Sequence, residues 1–202
     1  MVPGLCELVA PPRTALLVID VQAHFDEPGS TPFAVGVPLV VERLARTVAA
    51  ARAAGAICIF VRAVESERTN TPVWVSRHAT KPERVGKYLD GTPGAEFHPR
   101  LRPTSGDVTI VKHRYSSFLG TDLDRILRER RIRTLVIGGI ATNVCVEMTA
   151  AEAFQREYWT IVLSDGTTTT SAEEQHAALR DVQRNWGLVA TSDDVITCWS
   201  AP

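Results

Sequence analysis

Six short apolar segments constrain the fold of this chain more than any other feature of its sequence. They are rich in Val, Ile and Leu at consecutive positions, which indicates strands covered on both faces. The segments are TALLVID (14–20), AICIFVR (56–62), DVTIVKH (107–113), TLVIGG (134–139), WTIVLSD (159–165) and the weaker GLVATS (187–192). Helical patterns lie between them at 38–55, 121–132, 141–158 and 171–186. This alternation predicts a three-layer α/β/α fold with a mostly parallel, six-stranded, Rossmann-like sheet.

Composition predicts one domain over residues 1–202 and excludes several classes of partner. The 202 residues are 45% hydrophobic, enough for one stable core, and the formal net charge of −1 favours neither nucleic acid nor an anionic membrane surface. No apolar run is long enough to span a bilayer, and the first residues lack the pattern of a secretory signal. We therefore expect a cytoplasmic protein that acts on a small molecule.

The cysteines, histidines and glycines give no sign of a disulfide framework, a metal or a cofactor. The four cysteines are far apart and show no C-x-x-C spacing; they are Cys6, Cys58, Cys145 and Cys198. The histidines lack a helical H-x-x-x-H pair, and GGIATN is neither G-x-G-x-x-G nor a P-loop. The sequence predicts reduced cysteines, no metal site and no cofactor.

Residues 63–106 interrupt the alternation of strands and helices. This segment is long and rich in Pro, Gly and charged residues. A connection of that length in a compact domain is usually a functional lid or a partner surface, although a poorly ordered insertion is the alternative. We interpret it as a lid or specificity loop.

The carboxyl ends of parallel strands meet at one edge of a sheet, where sites form in open α/β folds. The polar residues at these ends are Asp20, Arg62, Lys112, His113, Cys145 and Asp165. Cys145 lies in the first turn of a predicted helix, where free amides and a nearby cation would lower its thiol pKa. Asp20 is suited to proton transfer and Lys112 to holding charge. The alternatives are a buried inert cysteine, a capping aspartate and a solvated lysine.

Three motifs resemble the isochorismatase-like cysteine hydrolase superfamily across residues 13–196. They are LLVIDVQAHF, VKHRYSSFLGTDLDRIL and LVIGGIATNVCVEMTAAEAF. The chain looks most similar to the amidohydrolase branch, which includes ureidoacrylate, biuret and N-carbamoylsarcosine hydrolases. The resemblance implies a catalytic triad of Asp20, Lys112 and Cys145, and an oxyanion hole from the Ala141 and Cys145 amides. It also implies a cis peptide between Ile140 and Ala141, and a homo-oligomer, either a dimer or a tetramer.

Two departures narrow the activity that the resemblance implies. The metal motif of nicotinamidases is replaced by RAVESER, and the cysteine that isochorismate-cleaving relatives lack is present. We therefore expect a cysteine amidohydrolase that cleaves the C–N bond of a small amide, carbamoyl or ureido compound through a thioester. The alternatives are a hydrolase acting on another bond, such as an imine, a lactam or a nicotinamide-type amide in secondary metabolism, and a catalytically silent binding protein.

Candidates for contact with the substrate flank the triad or lie in the lid. Gln22 and Phe25 follow Asp20, while Tyr115 and Phe118 follow Lys112. Trp74 lies in the lid segment. A carboxylate on the substrate would be bound by an arginine in bidentate fashion, and the candidates are Arg62, Arg77 and Arg114. Ordinary packing or surface exposure is the alternative explanation for each of these residues.

Overall fold

The computed structural model describes residues 3–26, 36–79 and 85–200. These residues form a six-stranded sheet in the order β3-β2-β1-β4-β5-β6, and every neighbouring pair is parallel. The strands are β1 (Thr14–Ile19), β2 (Ile57–Ala63), β3 (Val108–Lys112), β4 (Thr134–Ile140), β5 (Trp159–Thr168) and β6 (Leu188–Ala190). The predicted fold class is confirmed, and the sheet is wholly rather than mostly parallel.

The helices lie on both faces of the sheet. They are α1 (Leu5–Leu8), α2 (Val37–Ala54), α3 (Pro72–Ser76), α4 (Leu123–Glu129), α5 (Glu147–Gln155), α6 (Ala172–Asp181) and α7 (Ser192–Ser200). Two five-residue π-helical turns, Thr142–Val146 and Val182–Trp186, adjoin α5 and α6. Short 3₁₀ turns span Pro11–Arg13, Ala23–Asp26, Arg77–Ala79 and Pro93–Ala95. Among the described residues, every helix is too short or too polar to cross a lipid bilayer.

Alternate residues of the central strands enter two separate cores. On one face Leu16 and Val18 of β1 pack with α2 and α7. On the other face Leu17 and Ile19 pack with α4 and α5. Because both faces are covered, β1 is buried at every position, which explains its continuous apolar sequence.

The 63–106 segment lies along the carboxyl edge of the sheet. One isolated bridge, Gln22 with Phe97, attaches it to the residues after β1, and a second, Glu65 with Leu89, joins two parts of the segment itself. The Glu65 amide also donates to the Tyr88 carbonyl at 2.7 Å. Residues 80–84 of the predicted lid are outside the described residues.

One disulfide joins the two ends of the described chain, so the expectation of fully reduced cysteines is wrong. Cys6 of α1 and Cys198 of α7 are bonded, with their Cα atoms 4.9 Å apart. The two helices pack together at the side of α2. The sequence did not reveal the pair because its 192-residue separation matches no local cysteine motif. Cys58 and Cys145 are free.

Candidate active site

Asp20 and Lys112 meet at the carboxyl edge of the sheet, two strands apart. Asp20 directly follows β1 in a left-handed conformation (φ 53°), and its amide donates to the Val61 carbonyl of β2. Lys112 is the last residue of β3. Its Nζ lies 2.7 Å from Asp20 Oδ2, and the lysine is 0% exposed. The paired register of β1, β2 and β3 thus places the two charges together.

Backbone carbonyls satisfy the remaining hydrogen-bonding capacity of the Lys112 ammonium. Nζ donates to the Arg114 carbonyl at 3.1 Å and to the Tyr115 carbonyl at 2.7 Å. The chain after β3 therefore turns back over its own lysine. This arrangement fixes the ammonium at one point and makes Lys112 a buried structural centre as well as a charged group.

The turn after β4 delivers Cys145 to the same edge. Gly139 has φ 135°, and a Cβ there would lie 2.0 Å from the Ile19 carbonyl oxygen, so only glycine allows β4 to approach β1 this closely. The Ile140–Ala141 peptide is cis. The π-helical turn Thr142–Val146 follows and leads directly into α5. Such turns are often found at functional sites.

Polar side chains fasten the Cys145 turn to neighbouring elements. Thr149 Oγ1 donates to the Cys145 carbonyl at 2.7 Å and accepts from the Ser117 amide at 3.0 Å. The segment after Lys112 is thereby connected to the helix that carries the thiol. On the other side, Thr142 Oγ1 donates to Gln175 Oε1 at 2.7 Å. The turn is therefore held from two directions.

Burial dominates the electrostatics of the three groups. It raises the pKa of the Asp20 carboxyl above its ordinary value of 3.8, and the attraction of Lys112 offsets this only in part. For Lys112, burial acts to lower the pKa, but attraction to Asp20 and Cys145 outweighs it and the pKa is raised above 10.5. The Cys145 thiol is close enough to both charges for each to act on its pKa.

The surroundings of Cys145 favour the thiol over the thiolate. Burial raises the pKa of Cys145 to about 12, against the opposing effect of Lys112. The sequence predicted a lowered thiol pKa from the helix terminus and the cation, and this expectation is wrong for the resting site. The reason is desolvation, which penalises the thiolate more than the nearby ammonium favours it. A base must therefore take the proton when a substrate is attacked.

A small cavity, partly open to solvent, lies over the three groups. Asp20, Lys112 and Cys145 line it together with Ile140 and Ala141. The other lining residues are Phe25, Ala63, Val64, Glu65, Trp74, Arg77, Tyr88, His113, Arg114, Tyr115 and Val144.

The structure divides the sequence-based candidates for substrate contact into two groups. Five of them line the cavity: Phe25, Trp74, Arg77, Arg114 and Tyr115. Three others lie elsewhere. Gln22 is fully buried and its amide bonds to the backbone of Ala63 and Ala95. Phe118 packs in the core, and Arg62 pairs with Glu96 at 2.7 Å outside the cavity.

Three polar lining residues, His113, Glu65 and Tyr88, were not among the predicted substrate contacts. His113 Nδ1 bonds to the Val64 carbonyl at 2.7 Å, which leaves this strand-end histidine beside the cavity. Glu65 and Tyr88 both come from the irregular 63–106 segment. Glu65 is 4% exposed and forms an ion pair with Arg77. A charged Glu directly after an apolar strand is a weak sequence signal, and Tyr88 offers none.

Comparisons with known proteins agree with this geometry. A family model described as an isochorismatase domain matches residues 14–194. A ureidoacrylate amidohydrolase of Variovorax paradoxus is 36% identical, with 91% of this chain and 80% of that protein covered. A cysteine hydrolase from Pseudomonas syringae superposes with a TM-score of 0.83 at 31% identity, covering 95% of this chain and 94% of that one.

A second solved structure, the N-carbamoylsarcosine amidase of Thermoplasma acidophilum, has a TM-score of 0.75 at 27% identity. The alignment covers 90% of this chain and 97% of that one. The resemblance carried by the three sequence motifs is confirmed. From the matched model and these relatives, the chain belongs to the isochorismatase family.

Proposed function

We propose that the chain hydrolyses the C–N bond of a small ureido or carbamoyl compound through a thioester on Cys145. It is an amidohydrolase, the activity for which its curated relatives are named. The observation that carries the proposal is the buried Asp20–Lys112 pair, 2.7 Å apart, beside a free thiol in one cavity. A carboxylate, a cation and a thiol in this arrangement are the parts required for nucleophilic catalysis at a carbonyl.

The first half of the reaction transfers the carbamoyl group to sulfur. Asp20 takes the thiol proton as Cys145 Sγ attacks the carbonyl carbon, and the raised carboxyl pKa makes Asp20 a stronger base than an exposed aspartate. The Ala141 and Cys145 amides hold the negative oxygen. Asp20 then returns the proton to the leaving nitrogen, the C–N bond breaks, and an amine or ammonia departs.

The second half of the reaction hydrolyses the thioester and restores the free thiol. Asp20 takes a proton from water, the resulting hydroxide attacks the thioester carbon, the C–S bond breaks, and Asp20 gives the proton to Cys145 Sγ to restore the thiol. A carbamoyl thioester yields carbamic acid, which decomposes to carbon dioxide and ammonia. Lys112 stays charged throughout and stabilises the negative charge that moves between Asp20 and Cys145.

Ammonia release tests this function. Wild type, Cys145→Ala and the control Cys58→Ala are assayed on ureides, carbamoyl amino acids, biuret, maleamate and nicotinamide. Cys58 is a suitable control because it is free and buried in the core away from the cavity. We expect Cys145→Ala to lose activity by about 10³-fold or more. Equal activity in Cys145→Ala and wild type would exclude the thioester route.

The same panel separates the alternatives. Turnover of only nicotinamide, or of an imine or a lactam added to the panel and followed by loss of substrate, would change the bond that the enzyme cleaves. No turnover of any compound in the panel by wild type would favour a silent binding protein. The presence of the acid, the cation and the thiol in one cavity supports the enzyme.

The 63–106 segment is proposed as the lid or specificity loop of a single domain spanning residues 1–202. The contribution of this segment to the cavity wall supports that role; the residues are Glu65, Trp74, Arg77 and Tyr88. Exchanging this segment with that of a relative of different preference should exchange the substrate preference. Retention of the original preference would contradict the assignment.

A homo-oligomer, either a dimer or a tetramer, is proposed from exposed apolar side chains. Met148, Phe154 and Trp159 are 48%, 50% and 45% exposed, which favours burial against another surface. Light scattering on the purified protein gives the number of subunits. A cytoplasmic location also remains our proposal, although the Cys6–Cys198 disulfide is uncommon in reducing compartments.

A further inference from the structure

The charged groups that line the cavity are paired with one exception. Asp20 is paired with Lys112, and Glu65 is paired with Arg77. The fifth charged lining residue is Arg114, and no carboxylate among the described residues lies within ion-pair distance of it. The part of the cavity wall that the structure describes therefore has an excess of one positive charge, and that charge is on Arg114.

The contacts of Arg114 orient its guanidinium but do not neutralise its charge. Arg114 Nη1 donates to the His113 carbonyl at 2.6 Å, and the guanidinium carbon lies 4.8 Å from the centre of the Trp74 ring. A backbone carbonyl and an aromatic face hold the group in place, while the charge stays available to an anion. Arginine presents several donors in a plane, which suits a carboxylate.

Trp74 supplies a second donor beside the same arginine. Its buried Nε1 has no hydrogen-bond acceptor among the described residues, and the residue lines the cavity. A buried indole N–H usually has an acceptor. Two guanidinium groups lie near the Trp74 ring, that of Arg77 at 4.1 Å and that of Arg114 at 4.8 Å from its centre. An acceptor atom on a bound substrate would satisfy the indole N–H.

Arg114 and Trp74 also mark one end of the cavity. Both line an adjoining, more open groove that includes Tyr115 and Met148, whereas Asp20, Lys112 and Cys145 line only the inner cavity. A substrate that is attacked by Cys145 and extends toward the open groove would bring its far end near Arg114. The Arg114 carbonyl is fixed on Lys112 Nζ at 3.1 Å, so the distance between the two ends is set by one short segment.

We propose that Arg114 binds a carboxylate at the far end of the substrate, with Trp74 Nε1 as a further donor, so that the substrate is a ureido or carbamoyl acid. This inference rests on the proposed function and specifies its substrate class. Arg77 is excluded as the main anchor by its pair with Glu65, and Arg62 by its pair with Glu96 outside the cavity.

The test compares a ureido acid with its neutral ester. Ureidoacrylate and its methyl ester carry the same scissile ureido group, and ammonia release measures cleavage of both. For wild type, kcat/KM should be at least about tenfold higher for the acid, as expected for a charge-assisted contact. In Arg114→Gln this acid-to-ester ratio should fall by about tenfold or more, chiefly through KM for the acid.

Two further variants and a control complete the design. Arg114→Lys keeps the charge without the planar fork and should restore only part of the ratio, and Trp74→Phe should lower it to a smaller extent. The control Arg62→Gln removes an arginine outside the cavity and should keep the wild-type ratio. Each variant is also assayed on the ester. Because a misfolded enzyme would cleave neither compound, cleavage of the ester shows that the variant is folded.

The possible failures can be told apart. If wild type cleaves acid and ester equally well, or if Arg114→Gln keeps the wild-type ratio, the carboxylate anchor is wrong while the amidohydrolase stands. If wild type and Cys145→Ala release no ammonia from either compound or from the rest of the panel, the proposed function fails and the inference fails with it.

Discussion

Replacing Lys112 by methionine tests whether the fold depends on the charge pair of its active site. The substitution keeps the length of the buried side chain but removes the ammonium that lies 2.7 Å from Asp20 and donates to two carbonyls. Because Asp20 is only 3% exposed, its charge then lacks both water and a cation. Breaking one side of a buried ion pair costs roughly 3–5 kcal/mol.

The expected loss is large enough to measure in two ways. For a domain of this length, roughly 3–5 kcal/mol corresponds to a decrease in Tm of about 6–20 °C. Urea titrations at constant m-value give the free energy of unfolding directly. The double variant Asp20→Asn/Lys112→Met removes both charges and should be more stable than Lys112→Met alone. Arg125→Met, which removes an exposed cation from α4, should change stability little.

The pH dependence gives an independent check on the same prediction. Without Lys112, burial should raise the folded-state pKa of Asp20 further above its unfolded value. A carboxyl with a raised folded-state pKa contributes most to stability at low pH, and that contribution is lost as pH rises through the folded pKa. The deficit of Lys112→Met should therefore be larger at pH 8 than at pH 5. A loss below about 1 kcal/mol at pH 8 would refute the reasoning.

Three more predictions concern the site and its frame. Since burial raises the pKa of Asp20, the acid limb of the kcat/KM profile should lie above pH 3.8, and a limb at or below that value would contradict its role as base. Cys6→Ser, or reduction of its bond to Cys198, should lower the free energy of unfolding by about 2–5 kcal/mol in urea titrations. An unchanged free energy would mean that the disulfide does not restrict the unfolded chain. Gly139→Ala should destabilise the protein by at least about 1–3 kcal/mol, as measured by calorimetry. The control Gly106→Ala should not, because a Cβ at Gly106 would have no atom within 4 Å. Equal losses of stability in the two variants would refute the steric argument.

The sheet and the three reactive groups were accessible from sequence for a shared physical reason. Strands buried on both faces leave long apolar runs, and the polar residue that ends each run lies at the carboxyl edge. Asp20, Lys112 and Cys145 were selected in this way. The parallel register then places Asp20 and Lys112 2.7 Å apart.

The remaining parts of the site depend on long-range packing that no local pattern records. Glu65 and Tyr88 reach the cavity through a bridge within the irregular segment, and such pairing has no sequence period. Gln22 follows Asp20 closely, yet its amide is used by the backbone of Ala63 and Ala95. Helix α7 was not predicted because only two of its apolar residues, Val195 and Trp199, face the core, which is too few to show a helical period.

The bond between Cys6 and Cys198 has a mechanical consequence. It closes the chain from α1 to α7 into a covalent ring, with a sequence separation of 192 between its two bonded residues. Force applied to the two ends is carried by that bond and does not reach the hydrogen bonds between the strands. Because the ends are already side by side, the ring can be opened at an exposed turn, such as that at Gly106, and rejoined at α1 and α7 with the order of the strands in space unchanged.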